Sequence, residues 1–210
     1  MYGTVALAAV EHPAVRRIHV DMTGSSDDPR GCVVWLTGPP SAGKSTLAAR
    51  VGAELAGQGR RVECLDGDEL RARLCRDLGF SRDDRDENVR RTAYLAGLLE
   101  RHGVIVLVAL ISPYRAARDA ARAAIPNFLE VYVRCSTEEC IRRDVKGLYA
   151  KALAGDIPSF TGVSDPYEPP LHPDVLVETD RESVEESAAR ILDALSARGL
   201  ARRPSEARRG

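Results

Sequence analysis

One stretch of the sequence has residue types and spacing suited to holding a phosphate chain. Residues 38–45 (GPPSAGKS) fit the pattern G-x-x-x-x-G-K-[ST], with an apolar run before them and helical spacing after them. In such a loop, backbone N–H groups and the first turn of the next helix face the phosphates. Lys44 then reaches the β- and γ-phosphates, and the Ser45 hydroxyl reaches Mg²⁺. A chance match is the alternative, which the flanking strand and helix disfavour. The predicted nucleotide-binding residues are Gly38, Pro39, Pro40, Ser41, Ala42, Gly43, Lys44, Ser45 and Thr46.

Two carboxylates, Asp66 and Asp68, follow the next apolar run and lie on either side of Gly67. Transfer of a phosphoryl group to a hydroxyl requires a carboxylate close to the acceptor oxygen. Glycine permits a tight bend that can turn both acids into a cleft. On spacing alone, a simple turn with solvated acids remains open.

Other classes of phosphate-loop protein lack support in the sequence. The apolar run at 104–110 ends without the acidic residue that holds the metal in NTPase motors. The chain contains neither an Asn-Lys-x-Asp guanine motif nor the His-Arg-Asp and Asp-Phe-Gly set of protein kinases. Together with the two carboxylates, these absences favour phosphoryl transfer to a small hydroxylated molecule.

Polar and aromatic side chains indicate where an anionic, planar acceptor would bind. Arg85 and Asn88 share a face of the helix predicted at 82–101, where a guanidinium and an amide can bind an anion together. Phe80 and Phe160 lie in polar, loop-like surroundings, which suits exposed rings that stack on a planar ligand. A solvated charged face and phenylalanines packed beneath loops remain the alternatives.

Lysine is rare in this chain, which makes its positions informative. Of thirty basic residues only three are lysine, at 44, 146 and 151. A chain that uses arginine nearly everywhere can retain lysine where a compact ammonium is required, because the two cations are not interchangeable. The bias supports a functional role for Lys146 and, more weakly, for Lys151.

Alternating strand-like and helix-like segments must position these side chains. Apolar runs predict strands beginning at about 32 and at 62–65, 104–110, 128–133 and 175–177. Ser81 is a predicted N-cap, and Ser136 and Ser183 begin predicted capping boxes. The alternation predicts an α/β fold in which a parallel sheet is covered on both faces and binds ligands at its carboxyl edge.

Length and composition limit the domain organisation and the partners. We expect a flexible lead-in at 1–30, one domain at 31–198 that includes a lid at about 144–173, and a frayed tail at 199–210. The net charge of −1 argues against nucleic-acid binding, and the longest apolar run is too short to cross a membrane. Five cysteines without a C-x-x-C pair indicate a reducing cytoplasm, and the apolar runs around Cys32 and Cys64 predict that these two are core residues.

Several stretches together resemble the adenylylsulfate kinases over about residues 32–197. The matching stretches are 65–68 (LDGD), 77–81 (DLGFS), 84–88 (DRDEN), 111–115 (ISPYR), 143–149 (RDVKGLY), 160–162 (FTG) and 166–170 (PYEPP). The resemblance implies a P-loop NTPase-type three-layer sandwich with a five-stranded parallel sheet and a lid. It also implies a cytoplasmic homodimer that uses ATP and Mg²⁺ to phosphorylate the 3′-hydroxyl of adenosine 5′-phosphosulfate (APS), giving PAPS for sulfate assimilation. An ATP sulfurylase is the implied partner enzyme.

The resemblance also implies roles for individual residues. Asp68 would orient or deprotonate the ribose 3′-hydroxyl, with Lys44 and Lys146 as cations near the transferred group. Phe80 and Phe160 would clamp the adenine of APS. The other implied roles are a nucleotide contact for Arg143, acceptor contacts for Asp66, Arg71, Arg85, Asn88, Ile111 and Ser112, and a phosphoserine intermediate at Ser112.

The sequence departs from that family at two places. Pro39-Pro40-Ser41 replaces the usual Leu-Ser-Gly, which predicts weaker or reshaped nucleotide binding. Glu69 replaces the usual Asn, and its charge should repel a dianionic acceptor unless Arg71 or Arg73 neutralises it. Two alternatives therefore stay open: a kinase for another nucleotide-like acceptor, and a nucleotide-binding subunit without turnover.

Overall fold

A five-stranded parallel sheet forms the centre of the protein in the computed structural model, which describes residues 30–144, 146–157 and 159–202. The strand order is β2-β3-β1-β4-β5, so the strand that leads into the phosphate loop lies in the middle. The predicted parallel sheet is therefore confirmed. Cys32 is buried as predicted, but Cys64 is exposed because it lies on the edge strand β2, so its predicted core position is wrong. The strands are β1 (Cys32–Thr37), β2 (Val62–Asp66), β3 (Ile105–Ala109), β4 (Phe128–Arg134) and β5 (Val175–Glu178).

Helices cover both faces of the sheet and make three layers. Successive side chains of a strand point to opposite faces, so Val34 and Leu36 pack on one side and Val33 and Trp35 on the other. The first side is covered by α1 and α7, and the second by α3 and α4. The helices are α1 (Lys44–Gly57), α2 (Gly67–Arg73), α3 (Arg82–Arg101), α4 (Arg115–Ala124), α5 (Thr137–Arg143), α6 (Leu148–Leu153) and α7 (Val184–Ala197).

Serine caps fix where three of the helices begin. Ser81 caps α3 and Ser183 caps α7. In each case the carboxylate three positions later accepts from the backbone N–H of the serine, which completes a capping box. Ser136 caps α5 by accepting from the Glu139 N–H, but the Glu139 carboxylate pairs with two arginines of α5 instead of returning a bond. The capping box predicted at Ser136 is therefore wrong, although the N-cap is correct.

Two segments make defined contacts with the domain. The lid contains helix α6, and the Asp144 carboxylate accepts from the backbone N–H groups of Tyr149 and Ala150, both at 3.0 Å. At the start of the expected tail, Leu200 is buried and its carbonyl accepts from Arg60. The expected flexible residues 1–29 and 203–210 lie outside the described part of the chain. No helix among the described residues is long and apolar enough to span a membrane.

Candidate active site

A cleft of about 980 Å³ opens at the carboxyl ends of the strands, as parallel sheets favour. Its walls come from the phosphate loop, the segments after β2 and β3, helix α3 and the lid. Most of the predicted site residues line it: Pro40, Ser41, Gly43, Lys44, Ser45, Thr46, Asp66, Asp68, Arg71, Phe80, Arg85, Asn88, Ile111, Ser112, Arg143, Lys146 and Phe160. Gly38, Pro39 and Ala42 are not among the lining residues.

Backbone conformation explains the residue types of the phosphate loop. A Cβ at Gly38 would lie 2.3 Å from the Val133 carbonyl oxygen, so only glycine fits between β1 and β4 there. Gly43 adopts φ 92° and Ser41 adopts φ 60°. A non-glycine residue in the left-handed region costs roughly 1–2 kcal/mol. Ser41 therefore carries strain at the position where the family usually has glycine.

Lys44 folds back over the phosphate loop. Its ammonium donates to the carbonyl oxygens of Gly38 at 3.0 Å and Pro39 at 2.7 Å. The side chain is buried, and this desolvation lowers the pKa of Lys44 to about 8, with the charge of Lys146 acting in the same direction. A buried ammonium whose hydrogen bonds, among the described residues, go to two neutral carbonyls is poised to gain an anionic partner.

The lowered pKa predicts that ATP binding weakens as the pH rises through about 8. A phosphate chain stabilises the ammonium form, so binding is strongest where Lys44 is already protonated and requires proton uptake above its pKa. We expect the ATP Kd to increase by up to about tenfold per pH unit above that value. Calorimetry from about pH 7 to about pH 9.5 tests this. Lys44→Arg, which stays charged, should remove the step; a flat profile for the wild type would contradict the assignment.

A hydroxyl and a carboxylate lie together at the base of the phosphate loop. The Ser45 hydroxyl donates to Asp66 Oδ2 at 2.5 Å. Hard oxygen ligands of this kind, beside a phosphate site, fit Mg²⁺. Asp66 is the last residue of β2 and pairs in register with Ala109, the last residue of β3. It therefore places a carboxylate beside the strand end that lacks the metal-holding acid of NTPase motors. The family resemblance implied that Asp66 contacts the acceptor. Its contact with Ser45 depends on the strand order, which residue spacing does not specify.

Asp68 lies in the first turn of α2, because the Asp-Gly-Asp segment is a helix start and not a simple turn. The Asp66 side chain caps α2 by accepting from the Asp68 N–H at 2.9 Å. Gly67 packs closely on Leu110, since a Cβ there would lie 3.0 Å from Leu110 Cδ1, and its backbone is not in the left-handed region. The Asp68 carboxylate is exposed at the cleft and paired with the Lys146 ammonium, so the predicted acid and the lid cation meet.

Glu69 does not place its charge in the cleft. Its carboxylate pairs with Arg73 Nε at 2.9 Å, one helical turn further along α2, and both side chains are exposed. Glu69 is absent from the residues that line the cleft. One of the two neutralising partners considered from the sequence is therefore present, and the charge of Glu69 is directed away from the acceptor side.

The two predicted clamp residues differ in exposure. Phe80 is 59% exposed, with the Arg71 guanidinium 4.5 Å from its ring centroid. Phe160 is buried and packs edge-on against Tyr149, with 5.0 Å between ring centroids. The expectation that both rings are exposed is therefore wrong for Phe160, although both line the same cleft. Tyr149 belongs to the lid helix, whose formation the sequence did not predict.

Arg85 has protein partners for its guanidinium, whereas Asn88 does not use its full capacity. Arg85 Nε donates to the Phe80 carbonyl at 2.9 Å and Nη1 donates to Thr161 Oγ1 at 2.8 Å, so it ties the two phenylalanine segments together. Asn88 is buried, and its Oδ1 has no hydrogen-bond partner among the described residues. An unsatisfied acceptor in a cleft is suited to a ligand hydroxyl or N–H donor.

The Ser112 hydroxyl is engaged inside the protein. Ser112 is buried with φ 40°, its Oγ accepts from Trp35 Nε1 at 3.0 Å, and it lies 3.1 Å from Thr37 Oγ1. A hydroxyl held in this way favours a structural role over a phosphoserine intermediate. In-line transfer between two bound molecules requires no covalent relay.

Two contacts missed by sequence reasoning brace the phosphate loop. Thr179, just after β5, donates to the Ala42 carbonyl at 2.8 Å, and its own carbonyl accepts from Arg143 Nη2 at 2.6 Å. Tyr149 OH donates to the Pro40 carbonyl at 3.3 Å. These contacts join residues more than a hundred positions apart, except for Arg143 and Thr179, and no local signal indicates them.

Comparisons with known proteins agree with this site. The family model described as adenylylsulphate kinase matches residues 30–178. An adenylyl-sulfate kinase of Halothermothrix orenii is 51% identical over 177 residues, covering 84% of this chain and 96% of its own length. A bifunctional SAT/APS kinase of Sorangium cellulosum is 53% identical over 80% of this chain and 29% of its own. The solved APS kinase CysC of Mycobacterium tuberculosis, in complex with AMPPNP and APS, has a TM-score of 0.77 and 45% identity, covering 80% and 99% of the two chains.

Proposed function

The chain belongs to the adenylylsulphate kinase family, and we propose that it transfers the γ-phosphoryl group of ATP to the 3′-hydroxyl of APS, giving PAPS and ADP. One observation carries this proposal: the cleft brings the phosphate loop, the Asp68 carboxylate and the Phe80 ring to one edge of the sheet. These are the three groups that such a transfer requires, namely a phosphate cradle, an acid beside the acceptor oxygen and a surface for its base.

The donor side holds the phosphate chain of ATP. Backbone N–H groups of the loop and the start of α1 face the phosphates, while Lys44 supplies a cation to the transferred group. Ser45 and Asp66 would hold Mg²⁺, which when bound neutralises charge on the β- and γ-phosphates. Arg143, braced on Thr179 beside Gly43, fits a contact to the nucleotide.

The acceptor side holds APS opposite the phosphates. Asp68 accepts the proton of the 3′-hydroxyl or orients that hydroxyl for attack, and Lys146 adds positive charge at the same place. Arg71 presents its guanidinium to the cleft, and Asn88 presents an Oδ1 that has no hydrogen-bond partner among the described residues. Phe80 offers an exposed ring for the adenine, and Phe160 is a buried residue of the lid that lines the cleft.

Replacing Phe80 with alanine should raise the KM for APS by on the order of tenfold while changing the KM for ATP little. Loss of base stacking on an aromatic ring costs about 1–3 kcal/mol, and Phe80 belongs to the acceptor side. Steady-state kinetics with each substrate varied in turn measures both constants. Exposed Leu171, which lies outside the cleft lining, provides a control through Leu171→Ala. An equal rise in both KM values would contradict the assignment of Phe80.

Purified protein assayed with Mg·ATP and a panel of acceptors tests the proposed function. The panel should contain APS, AMP, adenosine and a sugar alcohol, and ADP release should depend on APS far more than on the others. Because Glu69 faces Arg73, the structure provides no reason for a changed acceptor. ATP binding without transfer to any acceptor would support a subunit without turnover and overturn the proposal.

The partners and compartment form a further part of the proposal. A homodimer is supported by exposed Tyr94 and Leu98, which lie four residues apart on α3 and give it an apolar surface. An ATP sulfurylase as the enzyme that supplies APS is supported by the fusion of the two activities named for the Sorangium relative. All five cysteines are free thiols, which supports a reducing compartment such as the cytoplasm.

A further inference from the structure

A buried threonine lies at the junction between the donor and acceptor sides of the cleft. Thr37 is the last residue of β1 (CVVWLT) and the only one in this strand with a hydroxyl group. It is fully buried and directly precedes Gly38, where the phosphate loop begins. Its Oγ1 lies 2.8 Å from the Ile111 carbonyl oxygen, 3.0 Å from Tyr167 OH and 3.1 Å from Ser112 Oγ.

The direction of these hydrogen bonds follows from the groups involved. The Ile111 carbonyl can only accept, so the single Thr37 hydroxyl proton is donated to it. The Tyr167 hydroxyl must then donate to Thr37. The single Ser112 proton can be donated to Thr37 Oγ1 at 3.1 Å or to the Leu110 carbonyl at 3.3 Å. Thr37 therefore donates one bond to the acceptor loop and accepts one from the lid, with the Ser112 hydroxyl within hydrogen-bond distance.

The three partners belong to segments that surround the acceptor. Ile111 and Ser112 line the cleft after β3. Tyr167 lies in the lid, where its ring stacks on Tyr132 of β4 with 6.0 Å between centroids. The next residue, Glu168, donates its backbone N–H to the Pro113 carbonyl at 2.9 Å. One hydroxyl thus links the start of the phosphate loop to the acceptor loop and to the lid.

We propose that Thr37 is a positioning residue for phosphoryl transfer, whose hydroxyl sets the separation between the phosphate loop and the acceptor loop at 111–112. The proposal rests on the proposed function, since the acceptor loop is defined by it. A displacement of about 1 Å between reacting groups can cost on the order of a hundredfold in rate. Packing alone does not require the hydroxyl, because valine would fill the same volume at the end of an otherwise apolar strand.

Thr37→Val and Thr37→Ser separate the hydroxyl from the methyl group. With ATP and APS both saturating, Thr37→Val should lower the single-turnover rate by on the order of tenfold to a hundredfold. The Kd of ATP and the KM of APS should change by less than about threefold, since Thr37 is fully buried and does not line the cleft. Thr37→Ser, which retains the hydroxyl, should stay within about twofold of the wild type in rate.

Three results would overturn the positioning role. They are a Thr37→Val rate within about twofold of the wild type, equal losses in the valine and serine variants, or a loss confined to the KM values. If Thr37→Val fails to fold, Tyr167→Phe tests the same hydrogen bond from the lid. It removes one hydroxyl and leaves the ring stacked on Tyr132. An unchanged rate in Tyr167→Phe would also overturn the positioning role of Thr37. Wild-type protein that makes no PAPS would refute the proposed function instead, so the two failures are distinguishable.

Discussion

Replacing Asp68 with asparagine should lower turnover by on the order of 10²–10⁴-fold and leave ATP affinity nearly unchanged. Asparagine keeps the shape of the side chain but cannot accept a proton from the acceptor hydroxyl. Asp68 is exposed at the cleft and in contact with Lys146, in the first turn of the helix that is capped by Asp66, the partner of Ser45. The substitution therefore removes the carboxylate of the acceptor side and spares the donor side.

Glu69→Gln provides a matched control for Asp68. It removes a carboxylate from the adjacent position of the same helix, at a side chain that pairs with Arg73 and does not line the cleft. We expect a change of less than about twofold in kcat for this variant. Quenched-flow measurement of PAPS formation and calorimetric titration with an ATP analogue supply the two readouts. Near-normal turnover in Asp68→Asn would remove Asp68 from the mechanism.

Replacing Lys44 with methionine should lower kcat/KM by on the order of 10²–10³-fold. Methionine fills a similar volume without the charge that the phosphoryl group meets during transfer. Unlike Asp68→Asn, this change should also weaken ATP binding, because the ammonium contacts the nucleotide before the chemical step. The carbonyl oxygens of Gly38 and Pro39 lose their donor as well, so thermal unfolding should be measured alongside the kinetics.

Lys151→Met is the control for Lys44, since Lys151 is exposed on α6 and does not line the cleft. It should keep kcat/KM within about twofold of the wild type, although the rarity of lysine weakly favoured a role for Lys151. A Lys44→Met enzyme with normal ATP affinity and normal turnover would show that the phosphate loop binds through its backbone alone.

Features encoded locally could be predicted from the sequence. The phosphate loop is contiguous, so its pattern identifies Lys44 and Ser45 without knowledge of the fold. Serine caps at 81 and 183 place the starts of α3 and α7, and continuous apolar runs mark strands that are buried on both faces. Each of these signals depends only on residues within a few positions of one another.

Features that depend on packing between distant segments could not be predicted. The contact of Asp66 with Ser45 depends on β2 lying beside β3, which spacing does not specify. Phe160 is buried because Tyr149 of α6 packs against it, and α6 lacks a clear periodic pattern. Arg85 binds Thr161, 76 positions away, so its partners are invisible in the sequence around it.

The two departures from the family pattern have different physical consequences. Ser41 adopts φ 60°, so a serine at this position adds strain to the loop. It still keeps its backbone N–H. Glu69 is paired with Arg73 on the outer side of α2. Lys44 keeps a hydrogen bond to the Pro39 carbonyl and Asp68 keeps its pairing with Lys146, so the arrangement of cation and carboxylate that the transfer requires is retained.

In the proposed reaction, groups that line one cleft transfer a phosphoryl group from ATP to the 3′-oxygen of the APS ribose. Single-turnover reaction of ATP radiolabelled in its γ-phosphate with APS, followed by digestion of the product with a 3′-specific phosphatase, tests it directly. We predict that the label moves into an adenylyl-sulfate product and is then released as phosphate by that enzyme. Label that stays in ATP, appears only as free phosphate before digestion, or resists the 3′-specific phosphatase would contradict the claim.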